Sequence, residues 1–235
     1  WSWGYNVSDG SGALGQNNTT QYSSPTQIPG TTWPTDPTTV KLTTSQRGSY
    51  AIKTDGTLWV WGGGYGGGLG LNEGSGWTVQ KSSPCQIPGT TWKSVSSARD
   101  GSAATKTDGT LWTFGRNNYG QLGLNNTTSY SSPVQVPGTT WNICLCGSGS
   151  MWATKTDGTL WAWGTAGDSG LGISDRTARS SPTQVPGTTW DECDTMYNQA
   201  KLAIKTDGTL WCWGRGGYGV LGQNEGGGIG VPSGY

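Results

Sequence analysis

The sequence contains no histidine, one phenylalanine and two methionines, and only 12% of its 235 residues are charged. Without His, Ser-His and Cys-His nucleophile pairs are excluded, and acid–base work would fall to fourteen carboxylates, Lys and Tyr. Basic residues also number fourteen, so the positive footprint of a nucleic-acid binder is missing. No apolar run approaches the roughly 20 residues of a membrane-crossing helix, and membrane insertion is not expected. Nor does any apolar stripe of 3.6-residue period reach helical length. The five cysteines (Cys85, Cys144, Cys146, Cys193, Cys212) share no metal-like spacing. Cys144 and Cys193 fall where another repeat has Val95, which predicts burial as small hydrophobes. No metal or cofactor is expected.

Only 31% of the chain is conventionally hydrophobic, yet Trp occurs 15 times and Gly 42 times. A buried aromatic side chain removes roughly 150–250 Å² from water. Stacked rings, with Gly letting backbones approach, can therefore replace an aliphatic interior.

The organising stretch is Lys-Thr-Asp-Gly-Thr-Leu-Trp, written four times from Lys53, Lys106, Lys155 and Lys205, hence 53, 49 and 50 residues apart. A fixed period of that size predicts an array of like supersecondary units. Asp-Gly between short apolar runs is a tight hairpin turn. Each copy continues as Leu-Trp-x-aromatic-Gly, as at Leu58 to Gly62. The two aromatics share one face of a strand and Leu shares the other with the x residue, so both faces are expected to be buried against neighbouring sheets.

A Gly-rich segment ending in Leu-Gly follows, then Ser-Ser-Pro-x-Gln-(Ile/Val)-Pro-Gly, then Thr-Thr-Trp at Trp33, Trp92, Trp141 and Trp190. Prolines suit an outer edge strand. One period is thus four short strands: A from Thr-Thr-Trp, B into the Asp-Gly turn, C with Leu-Trp, and D with Gln-(Ile/Val)-Pro. The fold expected is all-β, a β-propeller of four-stranded antiparallel blades, with about five blades or part of a seven-bladed ring. The repeat pieces are 1–32, 33–91, 92–140, 141–189 and 190–235, with a shortened last D strand at Ile229 to Ser233. The chain opens inside a repeat and without Met, so it is expected to be a piece of a longer protein or a processed product.

Lys-Thr-Asp-Gly-Thr-Leu-Trp-x-Trp-Gly, Asn117-Asn118-Tyr119-Gly120-Gln121-Leu122-Gly123 and Pro133-Val134-Gln135-Val136-Pro137 together resemble the repeat of the regulator of chromosome condensation family. The resemblance covers essentially the whole chain and implies a propeller, usually seven-bladed. The founding member is a nucleotide exchange factor for the GTPase Ran, working through acidic and His residues. Family repeats commonly carry His near the start of strand B, where this chain has Gly48, Gly101, Ser150 and Ala200.

Comparing the repeats with one another, the B–C and D–A connections are uniform whereas A–B and C–D differ each time. Both variable sets emerge on one side of an up-and-down sheet, the arrangement of a recognition surface on a rigid scaffold. That face is expected to present Arg47, Arg99, Asp100, Arg116, Tyr119, Trp152, Tyr197, Lys201, Arg215 and Tyr218, types enriched at interface centres among them. The recurrent Lys on the uniform side is expected to be a solvated hairpin residue.

Two chemical patterns are weaker. Asp191, Glu192 and Asp194 could serve glycoside hydrolysis, but another repeat has Lys93, Ser94 and Ser96 there. Gly62 to Gly67 forms a Gly-x-Gly-x-x-Gly string with no helix pattern after it. The function expected is therefore a non-enzymatic structural and recognition module, its partner a protein or a host-surface glycan. Near-identical repeats, low charge and heavy Gly, Ser, Thr, Asn and Trp usage resemble the repeats of this family found in bacteriophage and bacterial surface proteins, and that resemblance implies a virion component (fibre, neck or capsid-decorating) or an extracellular adhesin, within a larger assembly. The alternative is an intracellular partner-binding propeller of the GTPase-regulator type.

Overall fold

A computed structural model describes residues 1–6, 12–35, 41–74, 79–99, 101–167, 170–196, 200–214 and 221. Its strands fall into five antiparallel sheets following the predicted units. Unit 1 holds β1 (Ser2–Gly4) and β2 (Tyr22–Thr26). Unit 2 holds β3 (Leu42–Thr44), β4 (Gly48–Ile52), β5 (Leu58–Gly63) and β6 (Gln80–Ile87). Unit 3 holds β7 (Trp92–Ser97), β8 (Gly101–Lys106), β9 (Leu111–Gly115) and β10 (Tyr130–Val136). Unit 4 holds β11 (Trp141–Cys146), β12 (Ser150–Lys155), β13 (Leu160–Gly164) and β14 (Arg179–Gln184). Unit 5 holds β15 (Trp190–Met196), β16 (Ala200–Lys205) and β17 (Leu210–Gly214). The candidate last D strand at Ile229 to Ser233 lies outside the described residues.

Within units 2 to 4 each strand pairs with the next in sequence. Between units, β3 meets β7, β7 meets β11 and β11 meets β15, so the A strands lie on the inner side where units converge. The D strands form the outer edge, and Pro84, Pro133 and Pro182 within them withhold donors from any further strand.

Period-2 alternation then decides which unit each side chain meets. Leu58 and Val60 point forward into a cluster with Trp92, Val95 and Phe114 of unit 3. Leu111 meets Trp141, Cys144 and Trp163 of unit 4, and Leu160 meets Trp190 and Ala203 of unit 5. Leu58, Leu111 and Leu160 are all fully buried. Both faces of the interior sheets are therefore buried, as the motif requires.

Glycine allows the close approach on the backward side. A Cβ on Gly70 would lie 2.8 Å from the Phe114 ring, and one on Gly123 would lie 2.8 Å from Trp163 Nε1. Backbone bonds reinforce each junction. Asn72 N–H donates to Ser131 O and Asn125 N–H to Ser180 O, both at 2.7 Å, tying the C–D loop of one unit to the Ser-Ser-Pro strand of the next. Trp141 N–H likewise donates to Gly109 O at 2.9 Å, tying strand A to the preceding Asp-Gly turn.

At the two ends of the array the same side chains lose their cover. Trp1, Trp3 and Leu42 at one end, and Ile204, Leu210 and Trp211 at the other, are exposed. Leu42 holds the register position of buried Val95, but the described residues of unit 1 supply only a C and a D strand to face it.

Candidate functional site

The uniform side is built for cohesion. In each hairpin Asp accepts twice from Thr, for example Asp108 Oδ1 from Thr110 N–H at 3.0 Å and from Thr110 Oγ1 at 2.7 Å. Thr110 Oγ1 in turn accepts from Trp112 Nε1–H at 2.9 Å. The hydroxyl bond first, then the backbone bond, holds the Asp108 carboxyl below its usual range, and Asp55, Asp157 and Asp207 behave alike.

The recurrent Lys is not merely a solvated hairpin residue. Lys106 Nζ lies 4.7 Å from the Trp92 ring centre and 4.6 Å from that of Trp112, and Lys155 lies 4.7 Å from Trp141 and 4.4 Å from Trp161. Lys53 and Lys205 repeat the arrangement. The two indoles stand edge to face, so the ammonium rests against two π surfaces at once.

The variable side is organised differently. Three A–B turns are closed by the same backbone bond, Ser45 N–H to Gly48 O, Ala98 N–H to Gly101 O and Gly147 N–H to Ser150 O, at 2.7, 3.0 and 2.7 Å. The fold thus specifies backbone here and leaves side-chain identity open. The turns converge on a depression of about 350 Å³, lined by Gln46, Ala98, Arg99, Cys146 and Ser148 among others. Burial pushes the Cys146 thiol well above its usual range, so the sulfur beside this depression stays protonated.

A narrower crevice beside it is lined by Arg47, Tyr65 and Arg99 over a floor of hydroxyl groups. Tyr50 OH donates to Gly68 O at 2.7 Å and Ser102 Oγ donates to the same oxygen at 3.2 Å. Arg116 stacks on Tyr65, 5.7 Å from its ring centre.

Of the residues expected on this face, Arg99 and Tyr119 are exposed, and Arg47 and Arg116 are half-buried at its rim. Trp152 and Lys201 are corrections: they are 1% and 2% exposed. The A–B turns are tighter than the repeat comparison suggests, which leaves both residues inside strands. Alternation sends Trp152 forward into unit 5 and Lys201 backward over the Trp152 ring, its Nζ 4.7 Å away. Asp100, Tyr197, Arg215 and Tyr218 lie outside the described residues.

Ser148 and Cys146 were not singled out for this face. The equal offset from each A–B turn to the following Lys-Thr-Asp-Gly is the signal that would have placed them on one rim. Asp191, Glu192 and Asp194 are exposed along β15 rather than enclosed. The Gly62 to Gly67 string ends in a single 3₁₀ turn, Tyr65–Gly67. Among the described residues no group of three or more His, Cys, Asp or Glu is placed to hold a metal ion. No helix of the described chain is long and apolar enough to cross a membrane.

Repeated four-stranded meanders, packed face to face with their A strands inward, define a β-propeller. Residues 108–151 match the family described as "Regulator of chromosome condensation (RCC1) repeat". It is similar in structure to human WBSCR16, with a TM-score of 0.73 at 21% identity over 92% of this chain and 57% of that one. A structure of Kap60 bound to yeast RCC1 (Prp20) aligns with a TM-score of 0.72 at 20% identity, covering 92% and 51%. Prp20p from Saccharomyces cerevisiae, described with its binding properties to Gsp1p and histones, gives 0.71 at 20% identity, covering 91% and 52%. The chain spans a little over half the length of these structures. Among curated proteins none matches it.

Proposed function

We propose that this propeller is a non-enzymatic binding module that engages a protein partner through its A–B/C–D face, in the manner of an intracellular GTPase regulator. The observation that carries the reading is the set of three A–B turns, identical in backbone closure and different in side chain, around one depression. Recurring contacts account for the Lys, Asp, Thr and Trp residues of the opposite side, whereas no such contact recurs at Gln46 and Ser148. Partner binding by Prp20p, described for Gsp1p and histones, favours this class of partner. A virion or cell-surface setting rests on composition and repeat uniformity alone, and a glycan ligand has no further support.

The test is binding of the immobilised chain to a Ran-like GTPase and to core histones, with nucleotide release followed in parallel. Gln46→Ala with Tyr119→Ala is expected to weaken binding at unchanged thermal stability, and Thr90→Ala with Thr139→Ala, on the other side, to leave it intact. Equal loss from both pairs would refute the choice of face. No binding of either protein would refute the partner class.

A further inference from the structure

We infer that the groove at the junction of units 2 and 3 is a second docking site, taking an extended, proline-containing segment of a protein partner and meeting its carboxylate with Lys106. The groove is separate from the A–B/C–D face. It is a depression of about 270 Å³ where the end of the unit 2 C–D loop meets strands of unit 3. Leu71, Pro88, Trp112 and Pro133 give it apolar walls, and Asn72 and Ser132 add an amide and a hydroxyl. Recurrence of the Lys clasp carries no weight here, since that contact is structural in every unit. The cavity beside the clasp is what points to a ligand.

Three observations select the occupant. Among the described residues Lys106 is the one charged side chain lining the groove, which makes the groove complementary to an acid. The Trp92 and Trp112 rings, 4.7 and 4.6 Å from its Nζ, attract the ammonium without offering it an oxygen. The Asp108 carboxylate of the same hairpin feels this charge but is engaged by Thr110. Second, Trp92 is 3% exposed and its Nε1 has no hydrogen-bond partner among the described residues. That donor and the ammonium flank one point: a Cβ on Gly89, next to Pro88, would lie 3.8 Å from Trp92 Nε1 and 3.7 Å from Lys106 Nζ. An oxygen brought between them has an indole N–H and an ammonium to accept from. Third, Pro88 and Pro133 have no N–H and Pro84 interrupts β6, so this edge disfavours docking by strand addition. A polyproline II segment needs no such pairing. Its carbonyls are free to accept from Asn72 and Ser132, and its rings pack on indole and proline walls. Asn72 is held ready for this, its own N–H donating to Ser131 O at 2.7 Å.

The test uses two fluorescein-labelled, C-terminally amidated hexapeptides, Pro-Pro-Leu-Pro-Pro-Glu and the same peptide ending in Gln, read by anisotropy on the full chain. A third, Ala-Ala-Leu-Ala-Ala-Glu, removes the prolines, and Pro-Pro-Leu-Pro-Pro with a free C-terminus offers a chain-end carboxylate instead. The Glu peptide is expected to bind about tenfold tighter than its Gln and Ala counterparts and to weaken as salt rises. Equal or tighter binding of the free-acid peptide would assign the carboxylate to a chain terminus, and weaker binding to a side chain; either supports the site. Lys106→Gln and Ser132→Glu should each weaken the Glu peptide about tenfold. Lys93→Gln, the same charge lost from strand A of the unit, should change it less than about twofold. Because Lys106→Gln also loosens the clasp, Ser132→Glu carries the test if that variant melts early. The inference is overturned if the Glu peptide does not bind, if its Gln or Ala counterpart binds as tightly, or if Ser132→Glu binds like the native chain. Lys93→Gln costing as much as Lys106→Gln would overturn it too. The groove stands apart from the partner reading above: GTPase or histone binding is expected to survive Ser132→Glu, and its complete absence would remove that reading and leave the groove.

Discussion

Lys201 is buried at a position where the other units have Ser49, Ser102 and Met151, and that difference predicts a more stable protein on its removal. Burial, partly offset by the charge of Asp194, lowers its pKa from 10.5 to about 8. A depression of that size corresponds to on the order of 3 kcal/mol against folding while the ammonium is charged. Its contact with the Trp152 ring, beside a long hydrogen bond from Nζ to Ala200 O at 3.4 Å, returns about 0.5–2 kcal/mol. Lys201→Met keeps the volume and the forward packing of Trp152, so it is expected to raise stability at pH 7 by about 1–3 kcal/mol. The sign with pH follows from proton counting. Below about pH 8 both states bind the proton and the penalty is constant; between about 8 and 10.5 the unfolded chain binds more, so stability of the native sequence rises with pH. Above 10.5 the penalty is gone. Urea unfolding of both proteins at pH 7, 9 and 10.5 measures this directly. The gap between variant and native should close as pH rises. A variant less stable at pH 7, or a gap of constant size, would refute the reasoning.

Three further perturbations separate the parts of the scaffold. Leu111→Ala, at a fully buried site, should cost about 2–5 kcal/mol in chemical denaturation, whereas Leu210→Ala, at a site 65% exposed, should cost far less. Thr140 holds φ 68°, a left-handed conformation that a β-branched residue resists. Thr140→Gly should therefore be stabilising by up to about 1 kcal/mol after the entropy of Gly in the unfolded chain is counted, read as a raised melting temperature. The four hairpin carboxylates have folded pKa values below their unfolded ones, so their contribution is present above the ordinary Asp range and is lost as pH falls through the folded values. Asp108→Asn should remove about a quarter of that acid sensitivity, read as the slope of melting temperature against pH below about 4.

Most of the fold was legible because the repeat carries its own turn chemistry. Asp108-Gly109 fixes the hairpin, alternation assigns Leu111 and Trp112 to opposite faces, and prolines mark strand D. What was hidden depends on relations across strands. The Lys106 clasp joins residues from strands A, B and C, so no local window shows it. Trp152 and Lys201 were misplaced because one residue of turn length decides whether a side chain stands on the rim or points into a junction. Leu42 and Val95 share a register yet differ in burial, since exposure depends on which strands the neighbouring unit supplies.

The same logic bears on how repeats indicate function. Uniformity on the Asp-Gly side is fully spent on structure: Thr140 O accepts from Thr156 N–H, Trp141 N–H reaches Gly109 O, and Lys155 covers two indoles. Each such residue is required by a contact that recurs in every unit, so its recurrence says nothing about a ligand. On the opposite side the A–B turns share a backbone bond that neither the Gln46 nor the Ser148 side chain is needed to make, while the recurring side-chain bonds, such as Leu122 N–H to Asn117 Oδ1, lie within the C–D loops. The proposed partner face is accordingly the one on which the A–B turns of units 2 to 4 repeat a backbone closure without repeating their side chains.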